Sequence, residues 1–124
     1  ELFKNDLIQN LKNSILLICR IDGKIVGYIE GVIGSFNRNK HSIHFNIGIL
    51  KAFTGRHLGE LLISSLEAET IKIGIERIDL SVFTYNHNAI KLYKRIGYLI
   101  EGTKFNSFKV GEKKVDEFIM SKIL

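Results

Sequence analysis

The sequence predicts an α/β (α+β) fold: a single domain over residues 1–124, built on a mixed, mostly antiparallel sheet flanked by helices. Three observations carry that reading. Two apolar runs meet at Asp22-Gly23, the strongest hairpin signal in the chain. After Gly55 the apolar period changes from two to 3.6, and two last runs close the chain around Val110-Gly111-Glu112. With 124 residues, 45% hydrophobic and 25% charged, the chain is sized for one domain and leaves no room for two. Such a chain buries about two thirds of its unfolded surface, enough to hold a core without disulfides.

Leu2, Phe3, Leu7 and Leu11 have helical spacing, so a helix is expected to open the chain. Ile15–Ile21 and the β-branched stretch Ile25–Val32 form the arms of the Asp22-Gly23 hairpin. A polar interval, Ser35 to Lys40, separates them from Ile43, Phe45, Ile47 and Ile49, whose strict alternation marks a strand with one buried face and leaves His44, Asn46 and Gly48 on the other. Leu58, Leu61, Leu62, Ser65, Leu66, Glu69 and Ile73 then follow an amphipathic helix that Gly74 ends. Ile75–Phe83 reads as a strand. Asn86 or Asn88 caps a second helix with the stripe Ala89, Leu92, Tyr93, Ile96, closed by Gly97. Tyr98–Phe108 and Lys114–Leu124 make the final hairpin. The strand–helix–strand units 43–83 and 75–108 supply crossovers to parallel or non-neighbouring strands. In such sheets ligands favour the ends of strands where helices begin, here the 49–60 turn.

The charge balance is +5, from 18 Lys+Arg against 13 Asp+Glu. The basic residues are scattered from Lys4 to Lys122 and form neither a nucleic-acid arm nor a polybasic anchor, so a small anionic ligand is expected, with no nucleic-acid and no membrane partner. One cysteine, no basic-then-apolar leader and no apolar stretch of membrane-spanning length point to a reducing, cytoplasmic setting. No metal is expected, since His41 and His44, three apart on a strand, point to opposite faces and no other group has zinc-ligand spacing. Cys19, in an apolar strand, reads as inert.

Leu50-Lys51-Ala52-Phe53-Thr54-Gly55-Arg56-His57-Leu58-Gly59-Glu60 leads from a strand into a helix. A helix start offers unpaired N–H groups and the positive end of the dipole, which suit a pyrophosphate, and Arg56 adds charge. Glycine in such a turn also serves conformation alone. The second informative segment is Asn86-His87-Asn88-Ala89-Ile90-Lys91-Leu92-Tyr93-Lys94-Arg95-Ile96-Gly97-Tyr98.

Together the two segments, with the strand and helix between them, resemble the GNAT N-acetyltransferase family. Its acetyl-CoA site uses a Q/R-x-x-G-x-G/A turn followed by an N-x-x-A-x-x-L-Y-x-x-x-G-F/Y helix. Asn86, Ala89, Leu92, Tyr93, Gly97 and Tyr98 match the second pattern throughout. In the turn, Gly55, Arg56 and Gly59 fit, whereas Thr54 stands for Gln or Arg and His57 for the first Gly. The closing stretches Glu101-Gly102 and Val115–Met120 are also similar to those of family members. The resemblance implies an acyl-CoA N-acyltransferase fold, here lacking the family's first strand and helix.

For activity it implies acetyl transfer from the cosubstrate acetyl-CoA to a primary amine by direct attack, the amine belonging to a small molecule, an amino acid or a protein N-terminus. The alternative is an acyl-CoA-binding module with little or no turnover. On the resemblance, Ile49 and Leu50 offer backbone groups to the pantetheine and thioester. Thr54, Gly55, Arg56, His57, Leu58, Gly59 and Glu60 surround the pyrophosphate, and Asn86 contacts the cofactor arm while also serving as a helix cap. Tyr93 is the general acid that protonates the leaving sulfur, a role suited to a phenol that is neutral at pH 7. His44 is the proposed base by alignment, with a solvated surface histidine as its plain reading and Asp116 or Glu117 as other bases or as contacts for a cationic substrate. A homodimer is compatible with open sheet edges.

Overall fold

Asp22 and Gly23 both have positive φ, 51° and 77°, the backbone of a tight hairpin turn. They join β2 (Ser14–Ile21) to β3 (Lys24–Ile33) where the sequence places the first hairpin. The protein is described by a computed structural model covering residues 4–8 and 13–124. Around the hairpin lie β1 (Lys4–Ile8), β4 (Ser42–Ile49), α1 (Leu58–Lys72), β5 (Arg77–Phe83), α2 (His87–Arg95), β6 (Leu99–Val110) and β7 (Lys113–Ile123). A single 3-10 turn, Lys51–Phe53, links β4 to α1. The described residues gather into two units, one running through Ile78 together with Leu124, the other comprising Asp79–Ile123.

One expectation is corrected at the start. The segment read as an opening helix is the strand β1, which pairs antiparallel with β2 from Lys4 opposite Arg20 to Ile8 opposite Leu16. Leu7 lies within it, and Leu2, Phe3 and Leu11 fall outside the described residues. Four apolar positions in ten residues span too short a window to establish a 3.6 period. Pairing on β2 also satisfies backbone groups that so short a helix leaves open at its ends.

The strands of the first unit run in the order β1-β2-β3-β4, all antiparallel. A Cβ added at Gly27 or Gly31 of β3 points at Leu62 or Leu66 of α1, so that face of the sheet is the one α1 covers. Register then puts Ile49, Ile47 and Phe45 on the covered face, and pairs Tyr28 with Gly48, Glu30 with Asn46 and Val32 with His44 on the opposite one. Burial in α1 follows a repeat of four: Leu58, Leu62, Leu66 and Thr70, with Ile63 beside them. Leu61 and Ile73, placed on the same stripe by sequence, are exposed because that narrower repeat turns them outward. Each fully buried aliphatic side chain contributes about 1.5–3 kcal/mol. The buried Thr70 is satisfied, its hydroxyl donating to the Glu67 carbonyl at 2.9 Å.

In the second unit the strand order is β5-β7-β6. The chain leaves β5, forms α2, and returns to a strand that is not β5's neighbour, as the crossover reading anticipates. β6 and β7 pair antiparallel from Leu99 opposite Ser121 to Val110 opposite Lys113, with register shifts at Ile100/Gly102 and Lys104/Phe108. At the second irregularity Asn106 has φ 51°, and its N–H donates to the Asp116 carboxylate at 2.8 Å.

Gly31 is a close approach within the core of the first unit, since a Cβ there would stand 2.5 Å from Ile43 Cδ1 and 3.3 Å from Leu66 Cδ1. Ile43 and Leu66 are both fully buried and have little room to yield. Gly31→Ala is expected to destabilise the fold by about 1–3 kcal/mol through overpacking, read as a lower urea midpoint. An unchanged midpoint contradicts this packing.

Candidate active site

The link from β4 to α1 is held by its own backbone. The Leu50 N–H donates to the Val26 carbonyl at 2.8 Å, and the Leu50 carbonyl accepts from the Phe53 N–H at 2.8 Å. Successive N–H groups of a strand point to opposite edges, so Ile49 directs its N–H to the edge of β4 away from β3. The backbone donor at the end of β4 is therefore Ile49, while Leu50 brings a half-exposed side chain instead.

After the 3-10 turn, the Thr54 hydroxyl donates to the Lys51 carbonyl at 2.8 Å and closes the bend. Where the resemblance sets Gln or Arg against phosphate, this chain thus has a hydroxyl engaged in the turn. Gly55 follows at φ 78°, and then His57 takes the left-handed conformation, φ 61° and ψ 18°. His57 is the N-cap of α1 and places no side-chain hydrogen bond there; its carbonyl accepts from the Leu61 N–H at 3.2 Å. The first amides of the helix, Leu58, Gly59 and Glu60, have no intrahelical carbonyl to bond and stand at the positive end of the dipole. Arg56 is held by aromatic contact, its guanidinium 5.0 Å from the centre of the Phe53 ring. Among the described residues this unit thus brings together Ile49 and Leu50 with the whole Thr54–Glu60 run.

His44 lies on the same strand, on the face opposite α1 and half-buried, paired in register with Val32. Five residues separate it from Ile49, about 17 Å along an extended strand. That span is longer than an imidazole side chain reaches, so His44 does not touch a group at Ile49 directly.

The second unit carries Asn86 and Tyr93. Asn86 caps α2, its side chain accepting from the Ala89 N–H at 3.3 Å, so the capping reading is realised by Asn86 and not Asn88. Tyr93 is buried on α2, with its ring 6.3 Å from that of the fully buried Tyr98 at an interplanar angle of 61°. The Tyr93 carbonyl also accepts from the Tyr98 N–H at 2.9 Å. Burial raises the phenol's pKa above its ordinary 10.0, because the charged phenolate loses solvation. The group is therefore a neutral proton donor throughout the physiological range. Asp116, read as another base, has its carboxylate engaged by the Asn106 N–H, and Glu117 stands opposite Lys104 in the β6–β7 ladder. Cys19 is buried and its thiol pKa is likewise raised by desolvation, in keeping with an inert side chain. No metal-holding cluster occurs among the described residues, and no helix there is long and apolar enough to cross a membrane.

Residues 2–98 match the Acetyltransferase (GNAT) family. The chain belongs to the GNAT family. It is 32% identical over 109 residues to the L-amino acid N-acetyltransferase AaaT of Escherichia coli, covering 86% of this chain and 67% of that protein. Its fold is similar to a GNAT acetyltransferase from Streptococcus pneumoniae, with a TM-score of 0.86 and 31% identity over 90% of this chain and 68% of that one. It is also similar to yncA from Salmonella typhimurium, solved with its cofactor acetyl-CoA, at TM-score 0.83 and 20% identity over 90% of this chain and 65% of that one. The chain spans about half to two thirds of the length of the curated relatives it matches.

Within this GNAT chain, sequence reasoning passed over three contributors. Phe53 carries the Arg56 guanidinium, and the signal available was an aromatic residue three positions before an arginine in a turn. Lys51 supplies the carbonyl that locks Thr54, foreshadowed only by the general turn chemistry of threonine. Tyr28 lies across β4 at Gly48, a contact between strands that local patterning cannot show.

A left-handed non-glycine residue costs about 1–2 kcal/mol, of which glycine's greater freedom when unfolded returns part. His57→Gly is therefore expected to stabilise the fold by about 0.5–1 kcal/mol, measurable as a rise in Tm. A fall in Tm would show that the His57 side chain contributes more than its backbone strain removes.

Proposed function

We propose that this chain transfers an acetyl group from acetyl-CoA to a primary amine by direct attack of the amine on the thioester. The acceptor class comprises small-molecule amines, amino acids and protein N-termini. The observation that carries the reading is the left-handed start of α1. Its N-cap, His57, places no side-chain hydrogen bond on the first turn, soon after a strand whose last outward N–H belongs to Ile49. That arrangement fits a pyrophosphate followed by a pantetheine arm. The naming of AaaT as an L-amino acid N-acetyltransferase and the acetyl-CoA bound to yncA support the same reading.

When bound, acetyl-CoA supplies an activated acyl group and a thiolate leaving group. The turn residues Gly55–Glu60 hold the diphosphate by backbone N–H groups, and Arg56 adds a fixed positive charge. The Ile49 N–H polarises the thioester carbonyl. His44 takes the amine proton through water, and Tyr93 delivers a proton to the departing sulfur. Asn86 has a side-chain NH2 left for the cofactor arm after its oxygen caps α2. The lone cysteine and scattered charge fit an enzyme working in the cytoplasm on small ligands.

The test is thiol release from acetyl-CoA over a panel of primary amines, with wild type and Tyr93→Phe compared. Loss of the acid is expected to lower kcat about 10²–10⁴-fold while CoA affinity stays unchanged. Because burial raises the Tyr93 pKa, any decline in rate from loss of its proton should set in at higher pH than for an ordinary tyrosine. Full activity in Tyr93→Phe removes the acid assignment. Cofactor binding without thiol release, for any amine, makes the chain an acyl-CoA-binding module.

A further inference from the structure

Beside the end of β4 the first unit holds an open groove of about 290 Å³, walled by Ile25 to Tyr28 of β3 and Gly48 to Leu50 of β4. We propose that this groove receives an apolar substituent of the acceptor, so that the preferred substrates are primary amines bearing a branched aliphatic or aromatic group. The inference rests on the acetyl-transfer reading for the place where the amine reacts.

Four observations lead to it. The volume is about that of ten liquid waters, far more than an acetyl methyl needs and ample for an isobutyl or benzyl group. Its walls carry no charged side chain, and the Tyr28 hydroxyl is the one polar side-chain group among them. Ile25, Leu50 and Tyr28 nonetheless stay 50%, 47% and 43% exposed, so apolar surface is gathered at one spot next to Ile49. The Tyr28 ring also lies so close over Gly48 that a Cβ there would stand 2.5 Å from Tyr28 Cε1 and 3.2 Å from Cζ. The absence of a side chain at Gly48 thus lets the ring settle across β4 as a wall of the groove.

The neighbouring pairs on the same sheet face set the orientation. Beyond Tyr28 and Gly48 come Glu30 opposite Asn46, then Val32 opposite His44. Charge and proton-accepting groups therefore begin where the apolar wall ends. An amine whose substituent occupies the groove keeps its nitrogen at the Tyr28–Gly48 end, where the half-buried Glu30 carboxylate on the same face draws the ammonium form in. A small or charged substituent gains nothing from these walls.

The experiment compares leucinamide with glycinamide, two amines differing in one isobutyl group. Wild type is expected to show kcat/KM at least about tenfold higher for leucinamide, the discrimination that burying such a group supplies. In Tyr28→Ala that ratio falls towards one. Gly48→Ala, which displaces the ring, lowers it in the same way and serves where the first variant folds poorly. A second readout needs no turnover: leucinamide added to the cofactor-free protein should shift the methyl NMR signals of Ile25 and Leu50, and glycinamide should not. Methyl shifts without acetylation of either amine leave the groove standing and overturn acetyl transfer. Equal acetylation of both amines overturns the groove and leaves acetyl transfer standing. A preference for longer acyl-CoA chains, lost in Tyr28→Ala, would assign the groove to the acyl group and overturn the proposal.

Discussion

The reversal of the chain between Ile49 and Leu58 is the constraint on which the proposed cofactor site depends. A helix presents its first amides to a ligand only where no side chain covers them, and the preceding residue decides that. Here it is His57 in a left-handed conformation, leaving its imidazole out of the cap. The strain this entails is borne by a network on either side: Leu50 tied to Val26, Phe53 to Leu50, Thr54 to Lys51, and α1 anchored on the sheet by Leu58, Leu62 and Leu66. A backbone held away from its preferred angles at a ligand site is a familiar use of local strain. Because the proposed contacts come from the main chain, the unusual Thr54 and His57 side chains alter the turn's surface without removing its donors.

In the second unit the same economy puts structural roles and proposed chemical roles on single residues. The Asn86 oxygen starts α2, and its amide hydrogens stay outside the cap bond. Burial of Tyr93 against Tyr98 contributes to the core and at the same time keeps the phenol protonated. One desolvation effect thereby serves packing and the proposed acid role together.

Much of the fold was legible because its signals are local. Asp22-Gly23, the alternation of Ile43, Phe45, Ile47 and Ile49, and the asparagine before α2 each act over a few residues, and each is found where the sequence placed it. β1 was misread because the four leucine and phenylalanine positions from Leu2 to Leu11 hold no decisive period, and the deciding factor is β2, which lies beyond them in sequence. The outward turn of Leu61 likewise follows from how α1 rests on Gly27 and Gly31, which only the assembled sheet reveals. At the site, the residue types of the turn were visible but their engagement was not. That the Leu50 amide is already bonded to Val26, and that Arg56 rests on Phe53, are tertiary facts.

The most direct test of this account is a titration of the isotope-labelled protein with acetyl-CoA, followed through its backbone amide signals. Saturable shifts largest at Gly55, Arg56, His57, Leu58, Gly59 and Glu60 are the predicted result, because those amides would take the diphosphate. Saturable binding that leaves these six signals in place and moves others would contradict the account, since the left-handed start of α1 would then serve the fold alone.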